Sequence, residues 1–183
     1  MGRSQAHAIE VKGVAVSTVN DPRELFLHGL KDILYVEQEL TEEVLPKLID
    51  EVSDDELEKG LRKHLRETQK HMKNVEKVFR MIGEQPKAEK CAGFEGIRKE
   101  HEKLISEASR DLIDLVDAGA AARTEHYEIA AYDGLIAKAR SLGERAAVGL
   151  LEQNLREEKE ALREVERAAR RLSKEQAKEF AMA

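Results

Sequence analysis

Cysteine, proline and aromatic residues are scarce in this chain of 183 residues, and each scarcity removes a class of protein. There is no Trp, aromatic residues make up 4% and Pro occurs 3 times, while Ala, Leu, Glu, Lys and Arg dominate. Strand formers are therefore too few for a β fold, and long helices are favoured. Cys91 is the only cysteine, so no intrachain disulfide can form. Neither a thiolate zinc cage nor a Cys-ligated cluster can be assembled within one chain, and a reducing cytosol fits that usage. No apolar run approaches the roughly 20 residues needed to span a bilayer. Met1 to Asn20 also lacks the charged and apolar regions of a signal peptide, so a cytoplasmic location with no membrane partner is expected. The formal net charge of -6 argues against a nucleic-acid partner, because general nucleic-acid binding needs a basic face that releases counterions.

With 41% hydrophobic and 37% charged residues, the chain is long enough to bury one substantial core and too short to suggest two. Residues 1–20 carry no sustained helical stripe and read as a flexible arm. Asp21 followed by Pro22 is a helix start, and the periodic pattern runs on to about Val52, with Pro46 expected to kink its last turns. Ser53 to Glu56 has capping-box spacing, opening a second helix that ends near Ile82 and Gly83. A loop to Gly93 precedes a shorter helix around Phe94 to Ile105. A third long helix is expected from Ser109 to Arg140 and a last one from 144 to 171, with Leu172 to Ala183 as a frayed tail. The expectation is one domain over 21–171: an all-α antiparallel four-helix bundle whose long middle connection crosses its length.

The chemistry lies in carboxylates that stand where the helical period calls for apolar residues. The stripe Leu27, Leu30, Leu34, Glu37, Thr41, Leu45 is interrupted by one acid, and Leu151, Leu155, Glu158, Leu162, Val165 by another. Glu125 and Glu128 lie one turn apart among Ala121, Ala122, Ile129 and Tyr132. An ionised carboxylate in a dry core costs several kcal/mol unless a cation or hydrogen bonds compensate it, so acids from several helices point to a metal ion. Bundles with a two-metal site draw one acid from each of two helices and a Glu and His pair from the other two. Here the second helix offers Glu67 with His71, four apart and one turn along the same face. The candidate ligands are thus Glu37, Glu67, His71, Glu125, Glu128 and Glu158, and a mixture of carboxylate and imidazole suits two iron or manganese ions.

Each of these has a plainer reading. One Glu in an apolar stripe can kink a helix or serve an interhelical hydrogen bond, and a lone His on a half-buried face can be a satisfied core residue. His64 rivals His71 on that face. His126 either supports a ligand from behind or faces outward, and Tyr35, Tyr127 and Tyr132 either orient carboxylates through their hydroxyls or simply pack. Glu157 is set aside because Gln153, Asn154 and Glu160 mark its side of the helix as solvated. Cys91, in a loop, reads as incidental.

Glu24-Leu25-Phe26 with Leu30-Lys31-Asp32, His64-Leu65-Arg66-Glu67-Thr68, Lys90-Cys91-Ala92 and above all the block Glu125 to Tyr132 (EHYEIAAY) resemble the YciE/YciF family of bacterial ferritin-like proteins, from about Pro22 to Arg167. The resemblance implies a ferritin-like bundle with an additional short helix in the crossover, a homodimer, a two-metal carboxylate site at Glu37, Glu67, Glu125, Glu128 and Glu158, and association with stress responses. In relatives the position of His71 is often Gln, and an Asp often stands where this chain has Leu162. Ala161 also replaces the His of a full Glu-x-x-His pair. The functional expectation is oxygen or peroxide chemistry, or ferrous oxidation, at two metal ions. The alternative is a non-enzymatic helical stress protein whose site is structural or empty, acting through dimerisation or a partner. The Ala-rich stretch Ala118 to Ala122 would allow close helix approach in a dimer.

Overall fold

The computed structural model describes residues 19–182, so nearly all of the expected N-terminal arm lies outside the described residues. The helices are α1 (Pro22–Glu39), α2 (Leu45–Glu51), α3 (Asp55–Met81), α4 (Ala92–Glu107), α5 (Ile113–Ser141) and α6 (Arg145–Met182), and the described residues contain no strand. The fold is a ferritin-like antiparallel four-helix bundle of α1–α2, α3, α5 and α6, with α4 in the long crossover.

Local sequence sets the boundaries. Asp21 caps α1 by accepting from the Glu24 N–H at 2.8 Å, and Pro22 fills the first turn, where no N–H is needed. Asp54, rather than Ser53, caps α3, accepting from the Leu57 N–H at 2.8 Å. Before Pro46 the helix widens into a π turn over Leu40–Val44, in which the Leu45 N–H reaches the Leu40 carbonyl. Pro46 has no N–H, and its ring would collide with the Glu42 carbonyl in a regular helix; the wider turn accommodates it. Gly83 and Gly143 adopt left-handed conformations, φ 79° and 78°, and end α3 and α5.

Two boundaries differ from expectation. Helix α5 begins at Ile113, after a 3-10 turn over Arg110–Leu112. Helix α6 does not fray at 171 but continues to Met182, because Leu172 still belongs to the buried stripe. Beyond Leu172, residues such as Lys174, Glu175, Gln176 and Ala177 are strong helix formers that sustain the helix without burial.

Cross-helix pairs establish the register. Arg23 meets Ile82 and Glu37 approaches His71 between α1 and α3; Lys63 meets Glu164 and Asn74 meets Asn154 between α3 and α6. Arg140 with Glu152 and His126 with Glu166 do the same for α5 and α6. In each pair one number rises as the other falls, so these neighbours run antiparallel. Helix α4 lies beside α1 and α5, held by Tyr35 donating to Glu95 at 2.8 Å and by His101 at 2.7 Å from Asp117. One end of the bundle is closed by a dry core including Phe26, Leu30, Val78, Phe79 and Leu135. The Ala118–Ala122 stretch is mostly spent inside the chain, with Ala118, Ala120 and Ala121 buried, so it is not a free face for a second copy.

Candidate metal centre

Midway along the bundle the core becomes polar. Glu37 from α1, His64 and His71 from α3, Glu125 and Glu128 from α5, and Glu158 from α6 are all buried, with Glu37, His71, Glu128 and Glu158 at 0% exposure. They form two adjoining sets. Ligand atoms of His64, Glu125, Glu128 and Glu158 lie within 4.8 Å of one another, as do those of Glu37, His71 and Glu158. Glu158 belongs to both, one carboxylate between two clusters.

The inner contacts are close. His71 Nδ1 is 2.7 Å from Glu158 Oε1 and 3.8 Å from Glu37 Oε1, while His64 Nε2 is 3.1 Å from Glu125 Oε1 and 3.8 Å from Glu158 Oε2. Several of these lie off the directions a hydrogen bond requires. Both oxygens of Glu128 and Glu158, one each of Glu37 and Glu125, both ring nitrogens of His64 and Nδ1 of His71 have no hydrogen-bond partner. Leaving one buried polar group unmade costs about 1–3 kcal/mol and a charged one more. Such a concentration of orphaned oxygens and nitrogens, aimed at shared points, is the donor set that a hard or borderline cation satisfies.

Protonation compensates the acids when no cation does. Burial pushes Glu37 up to about 8, against the pull of His71. Burial likewise raises Glu125 to about 7, against His64. Glu128 stands well above the usual carboxylate range through burial and then the neighbouring Glu158, Glu37 and Glu125. Burial opposes charge on the imidazoles too, yet the surrounding carboxylates hold His64 at about 10 and His71 at about 9. Glu158 is the exception: burial would raise it, but His71 and His64 hold it low and ionised. A divalent ion entering here would displace protons.

One further layer orients these groups. Tyr132, itself fully buried, donates a short hydrogen bond to Glu37. Asn154 donates to the Tyr132 hydroxyl at 2.9 Å and to the His71 carbonyl at 3.2 Å, and accepts from Asn74 at 2.8 Å. His71 Nε2 lies 2.9 Å from Glu157 Oε2. Asn154 therefore does not mark a solvated side: it precedes Glu158 by four residues, on the same face, and is fully buried. Glu157 sits at the edge of that face, partly exposed but touching the site.

The expected ligands do not all converge. Glu67 stays outside both sets, partly exposed, 3.7 Å from Lys63 Nζ and 3.9 Å from His64 Nδ1. It precedes the buried Thr68 by one residue, so it is rotated by roughly 100° from that side chain and stands at the edge of the inward stripe, about 60° from His64 and about 40° from His71. His64 takes the inward place instead, and the stripe Leu57, Leu61, His64, Thr68, His71 already carried that signal. His126 faces out, its side chain exposed and 3.8 Å from Glu166, because it directly follows the inward Glu125. Tyr35 serves Glu95 on α4, not the cluster. The Tyr127 hydroxyl is 2.8 Å from Cys91 Sγ, and Cys91, the extended loop residue that immediately precedes α4, is buried. Buried Asp117, paired with His101, was not anticipated.

Among the described residues no helix is long and apolar enough to cross a membrane. A family model described as a domain of unknown function (DUF892) matches residues 21–178. Protein YciF of Escherichia coli (strain K12) is 33% identical over 146 residues, covering 79% of this chain and 86% of that protein. The crystal structure of the E. coli stress protein YciF superposes with a TM-score of 0.78 over 85% of this chain and 99% of that one, at 30% identity. YcfI from Rhodopseudomonas palustris gives 0.79 over 84% and 98%, at 37% identity. Both the length of the family match and the identity to YciF lead to one conclusion: the chain belongs to the DUF892 family of YciF-like proteins.

Proposed function

We propose that the buried cluster binds two iron or manganese ions and supports oxygen or peroxide chemistry, such as ferrous oxidation or peroxide removal under stress. The observation that carries this reading is the convergence of unpartnered carboxylate and imidazole atoms from four helices into two sets sharing Glu158. His64, Glu125, Glu128 and Glu158 would hold one ion, and Glu37, His71 and Glu158 the other. Bound there, such ions would supply one-electron redox chemistry toward oxygen or peroxide. The chain's own part is positional. Tyr132 and Asn154 fix Glu37, Glu157 fixes His71, and the closed apolar end keeps bulk water from that side.

Metal analysis of protein purified without chelator tests the binding: fewer than about one ion per chain, with stability indifferent to added metal, would refute it. Mixing with ferrous iron in air tests the chemistry, since turnover yields a near-ultraviolet ferric absorbance growing above the buffer control. A second reading, a non-enzymatic helical protein of stress physiology acting through dimerisation or a partner, draws support from the same cluster. The ion contacts of His64 with Glu125 and of His71 with Glu158 and Glu157 let the site neutralise itself by protonation alone. In that case added metal would leave the melting temperature unchanged.

A further inference from the structure

Beside the polar cluster lies a cavity of about 350 Å³ that nothing in the proposed metal chemistry explains. It exists because small residues meet on facing helices. Gly60 on α3, Ala120 and Ala121 on α5, and Ala161 and Ala168 on α6 leave a volume that Leu or Phe would fill. Its walls are mostly apolar, including Leu40, Leu45 and Leu48 from the proline-disturbed end of the first helix and Phe94 and Ile97 from α4, with Thr124, Arg98 and His101 as polar members. Its inner end is formed by His64 and Glu125, members of one candidate metal set. Ala161, one turn beyond Glu158, is where the space and the cluster adjoin. The apolar part of such a wall is stabilised when an apolar body covers it and removes it from water.

The rim supplies the second half of the argument. Lys59, Arg66 and Arg167 line it, and none of them makes an ion pair or side-chain hydrogen bond among the described residues. The acids on the same rim are already engaged, Glu164 by Lys63 at 2.8 Å and Glu56 by Arg171 at 3.1 Å. In a chain of net charge -6, three free cations at the entrance of an apolar cavity form a local anion-attracting ring. We infer that the cavity binds a single-chain anionic amphiphile, a medium-chain alkyl carboxylate, with its head at Lys59, Arg66 and Arg167 and its chain end against the His64 and Glu125 wall. The reverse orientation would bring one carboxylate against another, that of Glu125. This assignment rests on the proposed metal centre only for what lies beyond the chain end; the pocket itself is built from apolar walls and rim cations.

Decanoate is the probe, titrated calorimetrically into the full chain in chelated and in manganese-loaded form. One decanoate per chain is expected in both, with decanol and decyltrimethylammonium weaker. Lys59→Ser with Arg66→Ser should weaken decanoate about fivefold, the worth of partly exposed charge contacts, and leave decanol unchanged. Ala161→Leu and, separately, Ala121→Leu should abolish decanoate binding by filling the volume, and two positions guard against one variant failing to fold. In the manganese form the terminal methyl protons of bound decanoate should broaden more than the methylene next to the carboxylate. No decanoate binding to folded wild type, unchanged binding in both filled variants, or stronger broadening at the head would each overturn the assignment. Decanoate binding by a protein that takes up neither manganese nor ferrous iron would sustain the pocket and defeat the metal reading, so the two fail separately.

Discussion

The dry end of the bundle and its polar middle are built from the same helices in the same register, yet they solve opposite problems. Around Phe26 and Phe79, both 1% exposed, burial of apolar surface is the stabilising term and needs no partner beyond packing. Around Glu158 burial is the destabilising term, and it is offset only by protons, imidazoles or a cation. The dry end can therefore carry the stability that lets a costly site persist in the middle, and the two regions should respond differently to mutation, metal and pH.

The largest effect is expected at Glu158, the residue both sets share. Glu158→Gln removes the ionised partner of His64 and His71 and should destabilise the chelated protein by about 3–5 kcal/mol, the range for breaking a buried ion pair. It should also abolish the metal-induced rise in melting temperature, which calorimetry with and without manganese reads directly. Phe79→Ala should cost a similar 3–5 kcal/mol through the lost side chain and the cavity left behind. Its loss should be equal in chelated and loaded protein, with metal content unchanged. If the two variants respond alike to metal, the division between the regions is wrong.

The pH dependence sharpens the same contrast. The folded pKa values of Glu37, Glu125 and Glu128 lie above the unfolded value of 4.5, so the folded state holds protons that the unfolded state releases. Their contribution is complete below about 4.5 and is lost as pH rises through about 7 for Glu125 and about 8 for Glu37. His64 and His71 act with the same sign: their contribution is complete below about 6.5 and lost through about 10 and about 9. Glu158, held low, opposes them by contributing above its unfolded pKa. Five groups against one predict that the chelated protein melts at progressively lower temperature from pH 5 to pH 9. Metal requires the deprotonated ligands, so the increment in melting temperature from manganese should grow over the same interval. A flat chelated profile would mean that these groups are hydrated, not buried.

Tyr132→Phe tests the supporting layer with a smaller effect. Its hydroxyl joins Glu37 to Asn154, and deleting it should cost about 1–2 kcal/mol, the worth of a buried hydrogen bond plus an acceptor left unmet. Metal bound by the Glu37 set should weaken while that at the Glu128 set persists, which a two-step metal titration resolves.

Most of this architecture could be read from the periodicity. Helical periodicity, Asp21-Pro22 and Gly83 located the helices, and acids at apolar positions, Glu37 and Glu158 singly and Glu125 with Glu128 as a pair, marked the buried carboxylates, because a helix that buries one face must bury whatever stands on it. What depends on facing surfaces was not legible. The cavity arises from the sum of Gly60, Ala121 and Ala161 on three helices, and the Asp117 to His101 contact joins two helices whose approach no single stripe reveals. The π turn before Pro46 and the continuation of α6 to Met182 are decided by hydrogen-bond accommodation and by helix propensity beyond the core.

Glu67 is where a pairing motif and a stripe disagreed, and it yields the smallest prediction. Spacing to His71 favoured it as a ligand, since residues four apart share a face. The stripe ran instead through His64, Thr68 and His71, and Glu67 lies off that line, beside Lys63 in partial contact with water. An exposed pair of that kind contributes at most about 0.5 kcal/mol. Glu67→Gln should therefore leave both chelated stability and metal stoichiometry unchanged, whereas His64→Gln should lower the affinity of the set containing Glu128. Loss of an ion from the Glu67 variant would mean that metal draws this side chain inward by rotation about its own bonds, and that the pairing rule outranks the stripe at this turn of α3.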